Sequence, residues 1–492
     1  MPMGVTRERA QAGIPASAAT DTNIPFLVAE VLNMTKKLAW FGAALAVSLS
    51  ATTAHAAVSA AEAAKLGTSL TPMGGEKAGN GSTIPAWSGG LTKPPVANYK
   101  SGQHRPDPFP SDKIAFTITA QNMNNYADKL AEGQKALFRA YPQTFKMHIY
   151  PSRRTAAVPS WVEENTRKCA TTAKVKDWGI EGCVGGTPFP ILSGTNEEQA
   201  MQALWNHILR YRGQYLVRKA SAVAVQRNGS YTLNTVQQEI DFTYYHRDVK
   251  TVSQLNNIVF YYLSFTTAPA RLAGGAVLVW ETLDQRKDQR QAWGYNAGQR
   301  RVRQAPNLAY DTPIAQADGL ITADDVDMYN GAPDKYDWKL VGKKEVYIPY
   351  NNFKALQANL KYKQLLMPGH LNPDYLRYEL HRVWVVEGVL KPGERHIYSK
   401  RRFYIDEDSW NITVADQYDG RGDLWRVSMA YLTSFYEVPL VWTGMDTYHD
   451  LQARRYNVGG LANEEDRTLD FSLPSPGPEY FTPAALRRRG VR

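Results

Sequence analysis

The stretch "YLRYELHRVWVVEGVL" (375–390), with "RHIYSKRRFYID" (395–406), "SWNITVADQYD" (409–419) and "DLWRVSMAYL" (423–432) behind it, decides the fold. Each run is rich in β-branched and aromatic residues, and apolar positions alternate with polar ones. The turn-forming segments "KPGE", "DED" and "DGRG" separate them, so the four runs read as an antiparallel meander. Trp425, Val427, Met429 and Tyr431 share one parity, as do Trp410, Ile412 and Val414. A sheet with such a face must cover it. A curved antiparallel sheet closing over helices is the economical solution, and with an aromatic lining it also makes a ligand cavity.

The strand pattern reaches back to residue 214. In "YTLNTVQQEIDFTYYHRDV" (231–249), Val236, Ile240, Phe242 and Tyr244 lie on one parity, and "GAVLVWETL", "RQAWGYN" and "RRVRQAP" follow as short strands. Residues 214–460 are therefore expected to be mostly sheet, in a mainly β chain with helices. Upstream, "GGTPFPILSGTNEEQAMQALWNHILRYRG" (185–213) starts as a loop and becomes a helix. Thr195 and Glu198 have the spacing of a capping box. Met201, Leu204, Trp205, Ile208 and Tyr211 fall on one face, and Gly213 suits the position after the last turn. The expected helix runs from Thr195 to Arg212, apolar face on the sheet, polar groups including His207 at the rim. Residues 118–141 also have helical spacing, through Met123, Tyr126, Leu130, Leu137 and Phe138. Residues 66–115 have no period and read as an extended wrapping segment, docked in part by Trp87. Asp324, Asp325 and Asp327 open a predicted short acidic helix, where the macrodipole favours them. The Gly and the twelfth-position Glu of a calcium loop are missing there.

The beginning of the chain assigns a compartment. "MTKKLAWFGAALAVSLSATTAHAAVSA" (34–60) has a basic start, a short apolar run and the small-x-small site Ala54-His55-Ala56. The pattern predicts a signal peptide over 34–56, with residues 1–33 expected to be a mis-called extension and 57–492 one mature domain. The expected location is the periplasm, free or associated with the outer membrane, with no transmembrane segment in the mature chain. The two cysteines, Cys169 and Cys183, are then expected to form a disulfide. The net charge of +10 is scattered, and Arg487-Arg488-Arg489 reads as a solvated tail, so no nucleic-acid partner is expected.

No motif for a nucleophile elbow, a zinc protease, a phosphate-cradling loop or a dinucleotide turn is present. The histidines of the mature chain stand singly and give no ligand spacing. No catalytic residue, metal site or cofactor is expected. The second dense stretch, 268–313, sets arginines among aromatic residues. Trp293, Tyr295, Arg301 and Arg303 could form an aromatic and cationic wall for a lipid headgroup or another anion. Cation–π and ion-pair packing on an exposed face is the plainer alternative. With Trp425, Val427, Met429 and Tyr431 they make the expected ligand contacts.

Several of these stretches together resemble the family known as domain of unknown function 1329. They are "LTPMGGEKAGN", "IPAWSGG", "GGTPFPILSG…LWNHILRYRG", "PARLAGGAVLVWETLDQ", "RQAWGYNAGQRRVRQAPNLAYDTP", "YDWKLVGKKEVYIPYN" and "HIYSKRRFYIDEDSW", spread from about Leu66 to Gly460. The resemblance implies a fold related to the outer-membrane lipoprotein-sorting carrier LolA and receptor LolB, a half-barrel with helices on its concave face. In a chain of this length the half-barrel would be elaborated. It also implies an RND-type transporter and an outer-membrane protein as company, and it carries over no catalytic residues. The expected function is a periplasmic carrier or chaperone for a lipid or other hydrophobic molecule. A structural adaptor of a transport complex and a periplasmic hydrolase acting on lipid or glycan are the alternatives.

Overall fold

The computed structural model describes residues 57–305 and 310–489. The expected extension 1–33 and signal peptide 34–56 lie outside the described residues. The strands, in chain order, are β1 (Phe116–Ile118), β2 (Met147–Ile149), β3 (Lys174–Lys176), β4 (Gly179–Glu181), β5 (Tyr215–Val225) and β6 (Asn234–Asp241). They continue with β7 (Ile258–Ala268), β8 (Ala276–Thr282), β9 (Gln291–Asn296), β10 (Arg301–Gln304), β11 (Tyr336–Pro349) and β12 (Tyr378–Leu390). The last are β13 (Lys400–Asp406), β14 (Ile412–Tyr418), β15 (Leu424–Phe435), β16 (Leu440–Asp450) and β17 (Arg455–Leu461). The helices are α1 (Ala60–Ala63), α2 (Glu132–Ala140), α3 (Ser160–Thr172), α4 (Asn196–Ile208), α5 (Tyr362–Leu365) and α6 (Pro483–Arg489).

The meander of residues 375–432 is β12 to β15, paired antiparallel in sequence order. It continues through β16 and β17, and β17 then pairs β5. Strands β5 to β10 extend the same sheet, while β2 and β1 flank β12 on the other side and β11 pairs β12 as a branch. The result is one large curved, antiparallel-dominated sheet that is not closed into a barrel, since β1 and β10 end the path without meeting. Residues 66–115 contain no helix or strand, only isolated bridges such as Leu66–Leu70 and Leu70–Glu76. Trp87 is docked there, its Nε1–H donating to the Ala156 carbonyl at 2.9 Å.

Residues directly opposite in an antiparallel pair share a face. Val427 faces Asp416 and Met429 faces Val414, so these four lie on one side. Helix α2 covers that side. The Gly133 N–H donates to Asp416 Oδ1 at 2.9 Å, and a Cβ on Gly133 would stand 2.6 Å from Val427. Only glycine lets the helix approach so closely. On the other side lie Phe403, Ala415, Gln417 and Arg426. Here the segment between β10 and β11 packs: the Tyr329 ring sits 5.3 Å from Phe403, and Arg426 donates to the Leu320 carbonyl at 3.2 Å. Every residue of β14 is buried in consequence. The alternation read from the sequence suggested a single covered face, whereas the central strands are covered on both.

Two helical expectations shift. Residues 118–141 divide into the end of β1, a 3₁₀ turn at Met123–Lys129 and α2. The capping box at Thr195 and Glu198 is present, but α4 ends at Ile208, and Gly213 (φ +89°) turns the chain several residues later. The predicted acidic helix does not form; residues 321–328 are a run of turns.

Cys169 and Cys183 are disulfide-bonded, tying α3 to the β3–β4 ribbon across 14 residues of chain. Thiol labelling of denatured, non-reduced protein should therefore find no free thiol. Cys169→Ala with Cys183→Ala should cost about 3 kcal/mol, by chain entropy. Two labelled thiols, or an unfolding midpoint unchanged in the double variant, would contradict this. Among the described residues no helix is long and apolar enough to cross a membrane.

Candidate functional site

The expected aromatic and cationic wall is taken apart by strand register. Val302 lies opposite Tyr295, and Arg303 opposite Gly294. Trp293 and Tyr295 therefore share a face with Val302, and Arg301 and Arg303 point to the other. Tyr295 is buried in a second small core with Leu263, Leu278, Phe481 and Leu486, with Trp293 packed against it. Helix α6 supplies Leu486, so the aromatic side is roofed by the chain's own C-terminal helix. Arg301 and Arg303 are exposed on the edge strand β10. The second expected group fares similarly: Val427, Met429 and Tyr431 are fully buried in the main core, and only Trp425 is half-buried. The eight residues expected to contact a ligand thus lie in three places, and two of those are packed core.

A different region offers a lined space. Between the sheet and the segments that wrap it is a cavity of about 50 Å³, bordered by Ala220, Phe353, Leu356, Phe435, Ala462 and Leu469. Three cations also border it: Arg105, Arg218 and Lys219. Arg105 lies 4.1 Å over the Phe435 ring and pairs with Glu437. Arg218 lies 5.6 Å over Trp442 and donates to Gln238, and Lys219 pairs with Glu465 at 2.7 Å. Apolar walls with a cationic border suit a molecule with a hydrophobic body and an anionic end. No sequence signal pointed here, because the lining comes from six separated stretches and none is dense. A second, more polar groove of about 490 Å³ runs beside the disulfide, bordered by Trp161, Lys168, Arg247 and Lys250.

The polar residues at the end of α4 and just after it are not at a rim. Asn206, His207, Arg210 and Arg212 are all buried. Asn206 makes two hydrogen bonds to the Phe189 backbone, at 2.8 and 2.7 Å, which pin the loop 185–194 to the helix. His207 Nδ1 accepts from the Ile412 N–H at 3.1 Å and its Nε2–H donates to the Asp327 carbonyl at 3.0 Å. Burial pushes the imidazole down to about 3, so it stays neutral and serves as a two-ended bridge. Arg210 and Arg212 reach the Asp327 carboxylate at 2.6 and 2.7 Å. Asp324 pairs with Arg401 at 2.8 Å, and Asp325 accepts from the Tyr398 hydroxyl at 2.8 Å. The three aspartates read as a helix start are instead anchors, Asp324 and Asp325 buried beside Arg401 and Asp327 half-buried between Arg210 and Arg212.

Residues 117–487 match the family described as "Protein of unknown function (DUF1329)". The chain belongs to this family. The DUF1329 match covers most of the sheet, from within β1 into α6. An uncharacterized protein of Pseudomonas aeruginosa is 49% identical over 461 residues, 93% of this chain and all of its own. Among solved structures, a DUF1329 family protein from Desulfovibrio piger aligns over 60% of this chain and 100% of its own, at 14% identity and TM-score 0.41. A putative outer membrane lipoprotein-sorting protein domain from Vibrio parahaemolyticus aligns over 60% and 100%, at 12% identity and TM-score 0.41. At such distances no site residue passes from either structure to this chain.

Proposed function

We propose that this DUF1329 protein is a periplasmic carrier for a hydrophobic molecule with an anionic end. The observation that carries the reading is the cavity between sheet and wrapping segments, apolar within and bordered by Arg105, Arg218 and Lys219. At about 50 Å³ it is far below the ~300–1,000 Å³ of ligand pockets. Loading therefore requires the wrapping side, carrying Leu356, Ala462 and Leu469, to move away from the sheet. Each Å² of apolar ligand surface buried would then contribute ~25 cal/mol, offset in part by the cost of opening. The cations would hold the anionic end. Export is proposed on the signal-peptide pattern of residues 34–56, and company with an RND-type transporter and an outer-membrane protein on the sequence resemblance alone.

A fluorescent long-chain fatty acid titrated into the mature protein tests this. Saturable binding near one per chain is expected, and Ala462→Trp should weaken it at least tenfold while leaving the fold intact. Arg218→Ala should weaken the fatty acid more than its uncharged methyl ester. Absence of saturable binding, or binding unchanged in Ala462→Trp, defeats the carrier reading. Capture of a transporter subunit by a protein that binds no fatty acid would favour the structural adaptor.

A further inference from the structure

We propose that His381, Asp406 and Asp408 form a site for one divalent transition-metal ion of the Zn²⁺ or Mn²⁺ kind. The sheet register assembles it. Val383 lies opposite Asp406 across β12 and β13, so His381 and Asp408 come level with one another just beyond the last pair. One ring nitrogen and two carboxylate oxygens lie within 4.8 Å of one another. The residues are 1%, 0% and 3% exposed. Bonds from such an ion to N or O are ~2.0–2.2 Å, so shifts of less than about 1 Å close the set.

Two observations separate this cluster from an ordinary group of buried acids. The first is a free ligand atom. Asp406 Oδ1 is buried and has no hydrogen-bond partner; its nearest base, His381 Nδ1, stands 3.7 Å away. The second is the outer partners. His381 Nε2–H donates to Glu379 Oε2 at 3.1 Å, which leaves the Nδ1 lone pair turned toward Asp406. Glu379 is held in turn by Arg377 at 2.6 Å and by Asn351 at 3.0 Å. The Tyr350 ring stacks on the imidazole with centroids 4.1 Å apart and fixes its plane. Asp406 Oδ2 accepts from Ser409, and both Asp408 oxygens accept from Arg154, Oδ2 at 2.8 Å and Oδ1 at 2.6 Å. Ligating histidines and carboxylates are oriented by outer partners of this sort, and Asp408 would share one oxygen between Arg154 and the ion.

Charge points the same way. Of the three consecutive acids, Glu407 pairs with Arg154, Lys343 and Arg382, and Asp408 pairs with Arg154. Asp406 alone has no lysine or arginine partner among the described residues, and its only cationic option is an imidazolium. A bound cation would satisfy a buried carboxylate in that position. One imidazole with two carboxylates suits Zn²⁺ or Mn²⁺, whereas Ca²⁺ and Mg²⁺ prefer oxygen alone. The spacing hid the site, since His381 is 25 positions from Asp406.

Because the cluster is buried, metal must enter as the chain folds. The full mature protein, disulfide intact, is unfolded with a chelator, refolded with or without Zn²⁺ or Mn²⁺, and desalted. Elemental analysis should then find about one ion per chain, and the thermal midpoint should rise by roughly 3 °C or more over the metal-free protein. Asp406→Asn keeps the shape and removes the ligand charge; it should bind no ion and show no shift. His381→Gln is the second variant should Asp406→Asn fail to fold. Wild-type protein that refolds but carries no ion overturns the proposal, and so does a folded variant of either kind that binds as the wild type does. The fatty-acid titration reads another part of the molecule, so the two proposals fail independently.

Discussion

Asp327→Asn should cost on the order of 3–5 kcal/mol of stability at pH 7, because it leaves two buried arginines facing a neutral amide. Asp327 accepts from Arg210 at 2.6 Å, from Arg212 at 2.7 Å and from the Trp442 indole at 3.0 Å. The arginines are 2% and 6% exposed and cannot shed their protons to adapt. Asparagine tolerates the left-handed backbone of this position (φ +57°), so the loss reports the charge and not backbone strain. The pH dependence has a definite sign. Burial alone would raise the Asp327 carboxyl, but Arg210 and Arg212 outweigh it and hold it below the usual carboxylate range. A depressed acid contributes fully above its unfolded value of ~3.9 and loses that contribution as the pH falls toward the folded value. The gap between wild type and Asp327→Asn in denaturant unfolding should be wide at pH 7 and narrow below about pH 4. A gap under ~1 kcal/mol at pH 7 would mean that Asp327 does not hold this centre together.

These anchors show which parts of the molecule were legible in its sequence. The meander was, because alternation and turn residues are local signals, and β12 to β15 form where "YELHRVWVVEGVL" to "DLWRVSMAYL" place them. The capping box of Thr195 and Glu198 was local too. The fate of a polar residue was not. His207, Arg210 and Asp327 look like rim or surface groups in sequence, and the burial of His207 and Arg210 is permitted because they meet Asp327 across 115 or more positions. His207→Ala, which a rim position would tolerate, should leave the buried Ile412 N–H without its acceptor. The candidate ligand residues are dispersed for a related reason. Parity correctly grouped Val427 with Met429, but parity cannot say that Gly133 brings a helix down onto them. Arg303 and Trp293 are close in sequence and separated in space by one step of register. Sequence density marked these segments, whereas the cavity at Phe435 and Ala462 and the cluster at His381 are assembled wholly from distant chain.

The pair Asp324–Arg401 makes the second large demand. Arg401 is fully buried under the segment between β10 and β11, 2.8 Å from Asp324 and 3.9 Å from Asp325. The rings of Tyr398, Tyr336 and Tyr329 surround its guanidinium at 4.9, 5.3 and 5.4 Å. Asp324→Asn should cost about 3 kcal/mol, the lower end for a broken buried pair, because desolvated cation–π contacts are worth about 2 kcal/mol and soften the loss. Arg401→Met should cost less. Asp324 keeps His396 at 3.1 Å and the Thr322 hydroxyl at 2.7 Å, and a carboxylate can take up a proton where a guanidinium cannot lose one. The double variant, Asp324→Asn with Arg401→Met, removes both charges and should lie within ~1 kcal/mol of Arg401→Met alone. The coupling energy from denaturant unfolding of the four proteins decides. Additive losses would mean that neither charge senses the other and that the tyrosine cage alone holds Arg401. Strong coupling with Arg401→Met the worse single variant would reverse the asymmetry and make the guanidinium, rather than the acid, the group the segment is built around.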